Sequence, residues 1–357
     1  MSGKVQLVTG VAFGTLLSLS AFAAEGTLSA SDRAAVVRTL VTEMNANYIE
    51  PAVAKRVGSA ITRKNAEGGY APAASAQAFS AVLAKDLRDL SGDLHFNARF
   101  DQRFRERGSA AGADDEGVQA IRSGYGIEKI ERLPGNVGYL ELRNFGPTEL
   151  VGPAYTAAMS LMAGTDALIL DLRRNDGGQP ASVAYLMSHF FPLGDRRHLN
   201  DIYNRPSNKT WESWTLASVT ERYRKPVYVL TSARTGSGGE ECAYDFQTQK
   251  RATLVGETTA GLANPVDRFD VGHGIVVAIP VARSTNPVTK TSWEHVGVKP
   301  DIAVPAAQAL QKAHAAILRN LVASARGDSE RTKLQRLLAM VEKGESEKPI
   351  YTLRGER

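Results

Sequence analysis

The sequence predicts an α/β fold, and three observations carry that reading. From residue 125 onward, strand-like and helix-like stretches alternate. The stretch "ALILDL", 167 to 172, is apolar throughout, as expected of a strand covered on both faces. The stretch "VYVLTSARTGSGGEECAYDFQ", 227 to 247, runs from an apolar segment through a small, Gly-rich turn into a helix-like one. Alternation of this kind builds helices onto a largely parallel sheet.

Taken in order, the chain opens with "MSGKVQLVTGVAFGTLLSLSAFAAEG". One early Lys, an uncharged apolar stretch and the small-x-small end Ala21-Phe22-Ala23 read as a signal peptide over 1–23, cleaved before Ala24. An uncleaved anchor is the competing reading. No later stretch is apolar for long enough to span a bilayer, so no stable membrane span is expected after cleavage, and the mature chain is placed in a secreted or periplasmic location. Residues 24–100 read as a small helical N-terminal domain. Val36, Val37, Leu40, Val41 and Met44 recur at helical spacing behind Ser29 or Ser31, Pro51 suits a first helical turn, and Phe79, Val82, Leu83, Leu87 and Leu90 share a face.

Residues 101–124, charged, Gly/Ala-rich and non-periodic, read as a linker or mobile loop. The core is expected over 125–310. It begins with two strands around a Pro-Gly-Asn turn at 134–136, then a helix from about Pro153 to Ala163 and another over 180–191. A strand at 252–257 follows, and then a strand-rich region from 266 to 304. Residues 311–357 read as a C-terminal helical tail.

Composition excludes some chemistry. The net charge of +5 is spread along the chain, with no basic stripe interleaved with aromatics, so nucleic acid is not an expected partner. The single cysteine, Cys242, forms no intrachain disulfide and no Cys-based metal site, and suits a small core position.

Acyl transfer needs a nucleophile, a base, a group that orients the base, and N–H donors for the oxyanion. Ser237, between glycines where a strand passes to a helix, offers the hydroxyl, although a simple helix N-cap explains it too. His95 offers an imidazole and Glu294 a carboxylate, while Gly177, Gly178 and Gly238 let backbone N–H groups approach a carbonyl. Each has a plainer reading: a satisfied half-buried histidine, a surface carboxylate, a chain turn. Asp93 and His95 lack companions at metal spacing, so neither a metal nor another cofactor is expected.

The order of several blocks resembles peptidase family S41, the tail-specific or C-terminal-processing proteases, and its interphotoreceptor retinoid-binding-protein-like branch. "TSARTGSGGEECAYDFQTQKRATLVGETTAGLANP" is similar to the nucleophile block, "LILDLRRNDGG" to the preceding strand and Gly-Gly turn, and "GYLELRNF" to the first core strand. "TSWEHVGVKPDIAVP" is similar to the acidic block and "SGDLHF" to the Asp-x-His segment. The resemblance implies a ClpP/crotonase-like α/β catalytic core and hydrolysis of a peptide or unfolded-protein substrate. The 101–124 segment is too short for the PDZ domain that processing proteases carry. Their general base is a lysine 25 residues after the serine, and that position here is Leu262. Lys250 falls in a helix-to-strand turn. The resemblance to the tricorn-like branch instead assigns Ser237, His95 and Glu294, with Leu94 where that branch has a serine bridging His to Glu. Two alternatives remain: a non-proteolytic binding protein for an apolar ligand on the same scaffold, and an α/β-hydrolase-type esterase recruiting His295 or His314.

Overall fold

The computed structural model describes residues 27–104 and 112–345; the signal-peptide reading of 1–23 and the end of the tail lie outside them. Three helices come first: α1 (Ala30–Asn47), α2 (Pro51–Ala66) and α3 (Ala76–Ser91). Ser29 caps α1 reciprocally with Asp32, Pro51 opens α2, and Ser75 caps α3, each satisfying or sparing an orphan N–H of a first turn. Gly92, at φ 77°, ends α3 in the left-handed region and turns the chain into strand β1 (Asn97–Phe100). Helix α4 (Gly112–Arg122) follows, so the segment read as a linker carries a helix.

The central sheet starts with the antiparallel pair β2 (Ile127–Leu133) and β3 (Val137–Leu142) around the expected Pro-Gly-Asn turn. Then come α5 (Thr148–Met162), β4 (Ala167–Asp171), α6 (Pro180–Ser188), and a hairpin of β5 (His198–Asn204) and β6 (Lys209–Trp214). Helix α5 begins a turn earlier than expected, with Pro153 inside it rather than at its start. After β7 (Val227–Thr231) come α7 (Gly238–Thr248), β8 (Thr253–Gly256), β9 (Val266–Asp270), β10 (Ile275–Pro280), β11 (Ala282–Thr285) and β12 (Ile302–Ala303). The chain continues through α8 (Ala306–Ser324) and α9 (Asp328–Glu342).

The main sheet has the order β12-β8-β7-β4-β3-β2, parallel except for the β2–β3 pair. Strands β4 and β7 are buried along their whole length, because α5, α6 and α7 cover one face and α8 the other. Ala309, Ala313 and Ile317 of α8 pack against Val137, Ile169 and Leu230. Helix α8 is therefore a layer of the core, and a core boundary at 310 would cut through it.

The helical region is not a separate body either. Strand β1 pairs with β10, and β10 with β9, in a second sheet. One face of that sheet, with Ala98, Ile275, Val277 and Ile279, shares a single core with Leu40, Met44, Phe79 and Leu83 of α1 and α3. The helices thus complete the burial of strands that lie far downstream in sequence.

Candidate active site

Strand β7 delivers the chain into a turn that is tied down on every side. Thr235 Oγ1 donates to the Leu172 carbonyl at 2.8 Å and accepts from Ser232 N–H at 3.0 Å, and Gly236 N–H donates to the Asn175 carbonyl at 3.0 Å. Ser237 then adopts φ 49°, ψ −120°, a conformation costly for a residue with a side chain. Its N–H donates to Glu240 Oε2 at 2.9 Å. Fully buried Glu240 also accepts from Gly261 N–H at 2.6 Å, Leu262 N–H at 2.8 Å and Thr259 Oγ1 at 2.5 Å. Burial works to raise its pKa, and these donors oppose the rise. Glu240 was not singled out from sequence, although Ser237 and Glu240 stand at capping-box spacing.

The Gly-Gly turn after β4 lies against this serine. A Cβ on Gly177 would sit 2.6 Å from Ser237 Cβ, and one on Gly178 would sit 2.0 Å from the Phe145 carbonyl oxygen. Both residues have positive φ, 95° and 139°, so glycine is required for conformation and for space. The expected oxyanion donors separate here. Gly177 N–H is taken by Asn175 Oδ1 at 2.8 Å, so Gly177 serves close packing rather than donation. Among the described residues, the N–H groups of Gly178 and Gly238 have no acceptor, and a Cβ on Gly238 would lie 3.0 Å from Gly178 N. Two free donors therefore stand side by side next to Ser237, one of them at the positive end of α7.

His95 arrives from the other layer, between α3 and β1. Its backbone N–H donates to Asp93 Oδ1 at 2.9 Å, and buried Asp93 also accepts from Tyr48 Oη at 3.1 Å. The ring nitrogen Nδ1 lies 3.4 Å from Asp93 Oδ1 and 3.9 Å from Glu294 Oε2. Neither contact is an aligned hydrogen bond, and neither ring nitrogen is bonded to Ser237 or to any other described partner. Burial acts to raise the Asp93 pKa, but His95 and the Tyr48 hydroxyl outweigh it and hold the carboxyl below its usual range. Burial raises that of Glu294, partly offset by His95. Leu94, in the position of the bridging serine of tricorn-like sites, is 58% exposed and offers no relay.

A short strap, 261 to 264, ties the parts together. Leu262 N–H serves Glu240, while Ala263 and Asn264 N–H groups serve Glu294 Oε2 at 2.6 and 3.0 Å. Trp293 Nε1 donates to the Leu262 carbonyl at 3.0 Å and His295 N–H to the Gly261 carbonyl at 2.9 Å. Glu294 is thus a half-buried carboxylate locked beside the serine turn rather than a surface residue. The Leu262 side chain reaches within 3.4 Å of a Cβ placed on Gly236, so the position of a lysine base is filled by an alkyl group. Lys250 is exposed beyond the far end of α7. Of the other histidines weighed, His314 binds the Pro134 carbonyl from α8, and the side chain of His295 is largely exposed. One ligand atom from each of Asp93, His95 and Glu294 lies within 4.8 Å of the others. That grouping supplies the companion carboxylate that sequence spacing did not reveal, but it uses the same imidazole that acyl transfer requires.

The comparisons agree with this arrangement at the level of the core. Residues 136–304, most of the α/β core, match the model of peptidase family S41. The carboxyl-terminal-processing protease of Synechocystis is 30% identical over 169 residues, which is 47% of this chain and 38% of that protein. The chain therefore spans well under half the length of that relative. Among solved structures, the tricorn protease has a TM-score of 0.52 at 12% identity, covering 88% of this chain and 37% of that one. A lipoprotein from Streptococcus agalactiae has a TM-score of 0.52 at 13% identity, covering 81% and 96%. These two likenesses establish the fold alone.

Proposed function

We propose that this protein is an exported serine peptidase that cuts peptide bonds through an acyl-enzyme. The observation that carries the reading is the strained Ser237 beside two N–H groups without acceptors. In the proposed reaction, Ser237 Oγ attacks the scissile carbonyl carbon and passes its proton to His95 Nε2. Nδ1 faces the two carboxylates, which stabilise the imidazolium. The carbonyl oxygen takes up negative charge between Gly178 and Gly238 N–H. His95 then protonates the departing amine. Water, deprotonated by the same imidazole, releases the acid and restores the serine. The missing Ser237–His95 hydrogen bond is consistent with a site without substrate, where catalytic contacts are often long.

Ser237→Ala should lower turnover of an unstructured peptide by on the order of 10^4-fold and abolish covalent labelling by a fluorophosphonate. Undiminished turnover in that variant would refute the nucleophile. An esterase built on His295 or His314 gains no support, since the His295 side chain is largely exposed and His314 is held on α8 by the Pro134 carbonyl.

A further inference from the structure

Beside His95 runs a groove, open to solvent, whose floor is the outer face of the β1-β10-β9 sheet. The register fixes what that face presents. Asn97, Ala278 and Arg268 form one cross-strand row; Arg99, Val276 and Asp270 form the next. The alternate residues, Ala98, Val277 and Phe269, point into the core shared with the helices. Ala278 and Val276 leave the middle of the floor shallow, and the two arginines stand on either side of it. Arg99 is shared with Asp101 at 3.1 Å. Arg268 is exposed and makes no ion pair or side-chain hydrogen bond among the described residues. A guanidinium left unpaired in an open groove beside the imidazole is a ready receptor for a planar anion.

We infer that this groove is a substrate subsite for a carboxylate, held by Arg268 with support from Arg99 and Asn97. The inference rests on the peptidase reading and names a substrate class for it. Strand spacing sets the distance. Arg268 lies abreast of Asn97, two residues or roughly 7 Å along the strand from His95, and two strand spacings, roughly 10 Å, across the sheet. An extended peptide passing His95 would bring a group two to four residues from the scissile bond to this site. The carboxylate is either an Asp or Glu side chain at that distance or the terminal carboxylate of a substrate that ends there. Both offer the same bidentate partner to the guanidinium.

Binding to the Ser237→Ala protein, followed by anisotropy, tests the site without turnover. The probes are fluorescein-labelled Ala/Val-based octapeptides, with Glu or Gln at each position in turn and with a free or amidated C-terminus. The expected result is a loss of about tenfold or more on Glu→Gln at one position or on amidation. The first outcome assigns the side chain, the second the chain end. Arg268→Gln should erase that preference, and Arg268→Glu should reverse it towards a lysine-bearing peptide. Equal binding of all probes, or a preference that survives Arg268→Glu, overturns the subsite. Loss of fluorophosphonate labelling and of all turnover in the parent protein would instead overturn the peptidase reading, whatever the peptides do.

Discussion

At the scale of single residues, the imidazole has two acids rather than one. Asp93 Oδ1 is nearer His95 Nδ1 than Glu294 Oε2 is, 3.4 against 3.9 Å. Asp93 also accepts the His95 backbone N–H, so it fixes the backbone of the residue whose ring it lies beside. Where tricorn-like sites would relay through a serine, this chain brings a carboxylate directly to the ring and turns Leu94 outward. Asp93→Asn keeps an Oδ1 acceptor for the backbone N–H, sets an amide NH2 against the Tyr48 hydroxyl, which can turn to accept from it, and removes the charge. Each of Asp93→Asn and Glu294→Gln should lower kcat by roughly 10- to 100-fold with little change in KM, because the lost interaction grows only as charge develops on the ring. Since both act on one nitrogen, the double variant should depart from the product of the two losses. Kinetics of the three variants check this. A kcat unchanged in Asp93→Asn would reduce Asp93 to a turn-former.

At the scale of elements, α7 carries more than its serine. Its first turn holds Glu240, which receives N–H groups from both the serine turn and the strap. Glu240→Gln would set an amide NH2 against one pair of those donors. It should cost about 1–3 kcal/mol and most of the activity, read by thermal unfolding and by fluorophosphonate labelling. Beside it in the same turn Glu241, and one turn on Asp245, are both buried, and among the described residues Asp245 Oδ1, Asp245 Oδ2 and Glu241 Oε1 have no hydrogen-bond partner. Burial pushes Glu241 up to about 7, and burial together with Glu241 pushes Asp245 well up. An acid whose pKa is higher folded than unfolded costs stability once the unfolded chain ionises. The cost therefore grows as pH rises from about 4.5 towards 7 and is absent below that window. Glu241→Gln should unfold later than the parent at pH 7 to 8, by up to about 3 kcal/mol, and equally at pH 4. A pH-independent difference in melting midpoint would contradict this.

At the scale of the whole molecule, the legibility of the sequence had a physical limit. Strands flanked by local turns were readable: β2, β3, β4, β7 and the Ser237 turn. Ser237, His95 and Glu294 were nameable as candidates because the blocks that hold them resemble, in order, those of a known family. Asp93 was noted only beside His95 as a metal candidate and in the Asp-x-His segment, because spacing along the chain does not show that its carboxylate turns back towards the imidazole. The β1-β10-β9 sheet was hidden because Asn97 pairs with Ala278, far beyond any local pattern. That same pairing makes the helices inseparable from the α/β core, since His95 and the groove exist only where the two meet. A test follows from the tryptophans. All three, Trp211, Trp214 and Trp293, lie outside the helical layer, whereas Leu40 is fully buried within it. Leu40→Ala should cost about 2–5 kcal/mol. If one core joins the layers, tryptophan fluorescence and far-ultraviolet circular dichroism should report the same midpoint, lowered by on the order of 5–10 °C. An unshifted tryptophan transition beside a lowered helical one would mean that the helices melt alone. The base would then leave the nucleophile before the core unfolds, and activity would be lost at the helical midpoint.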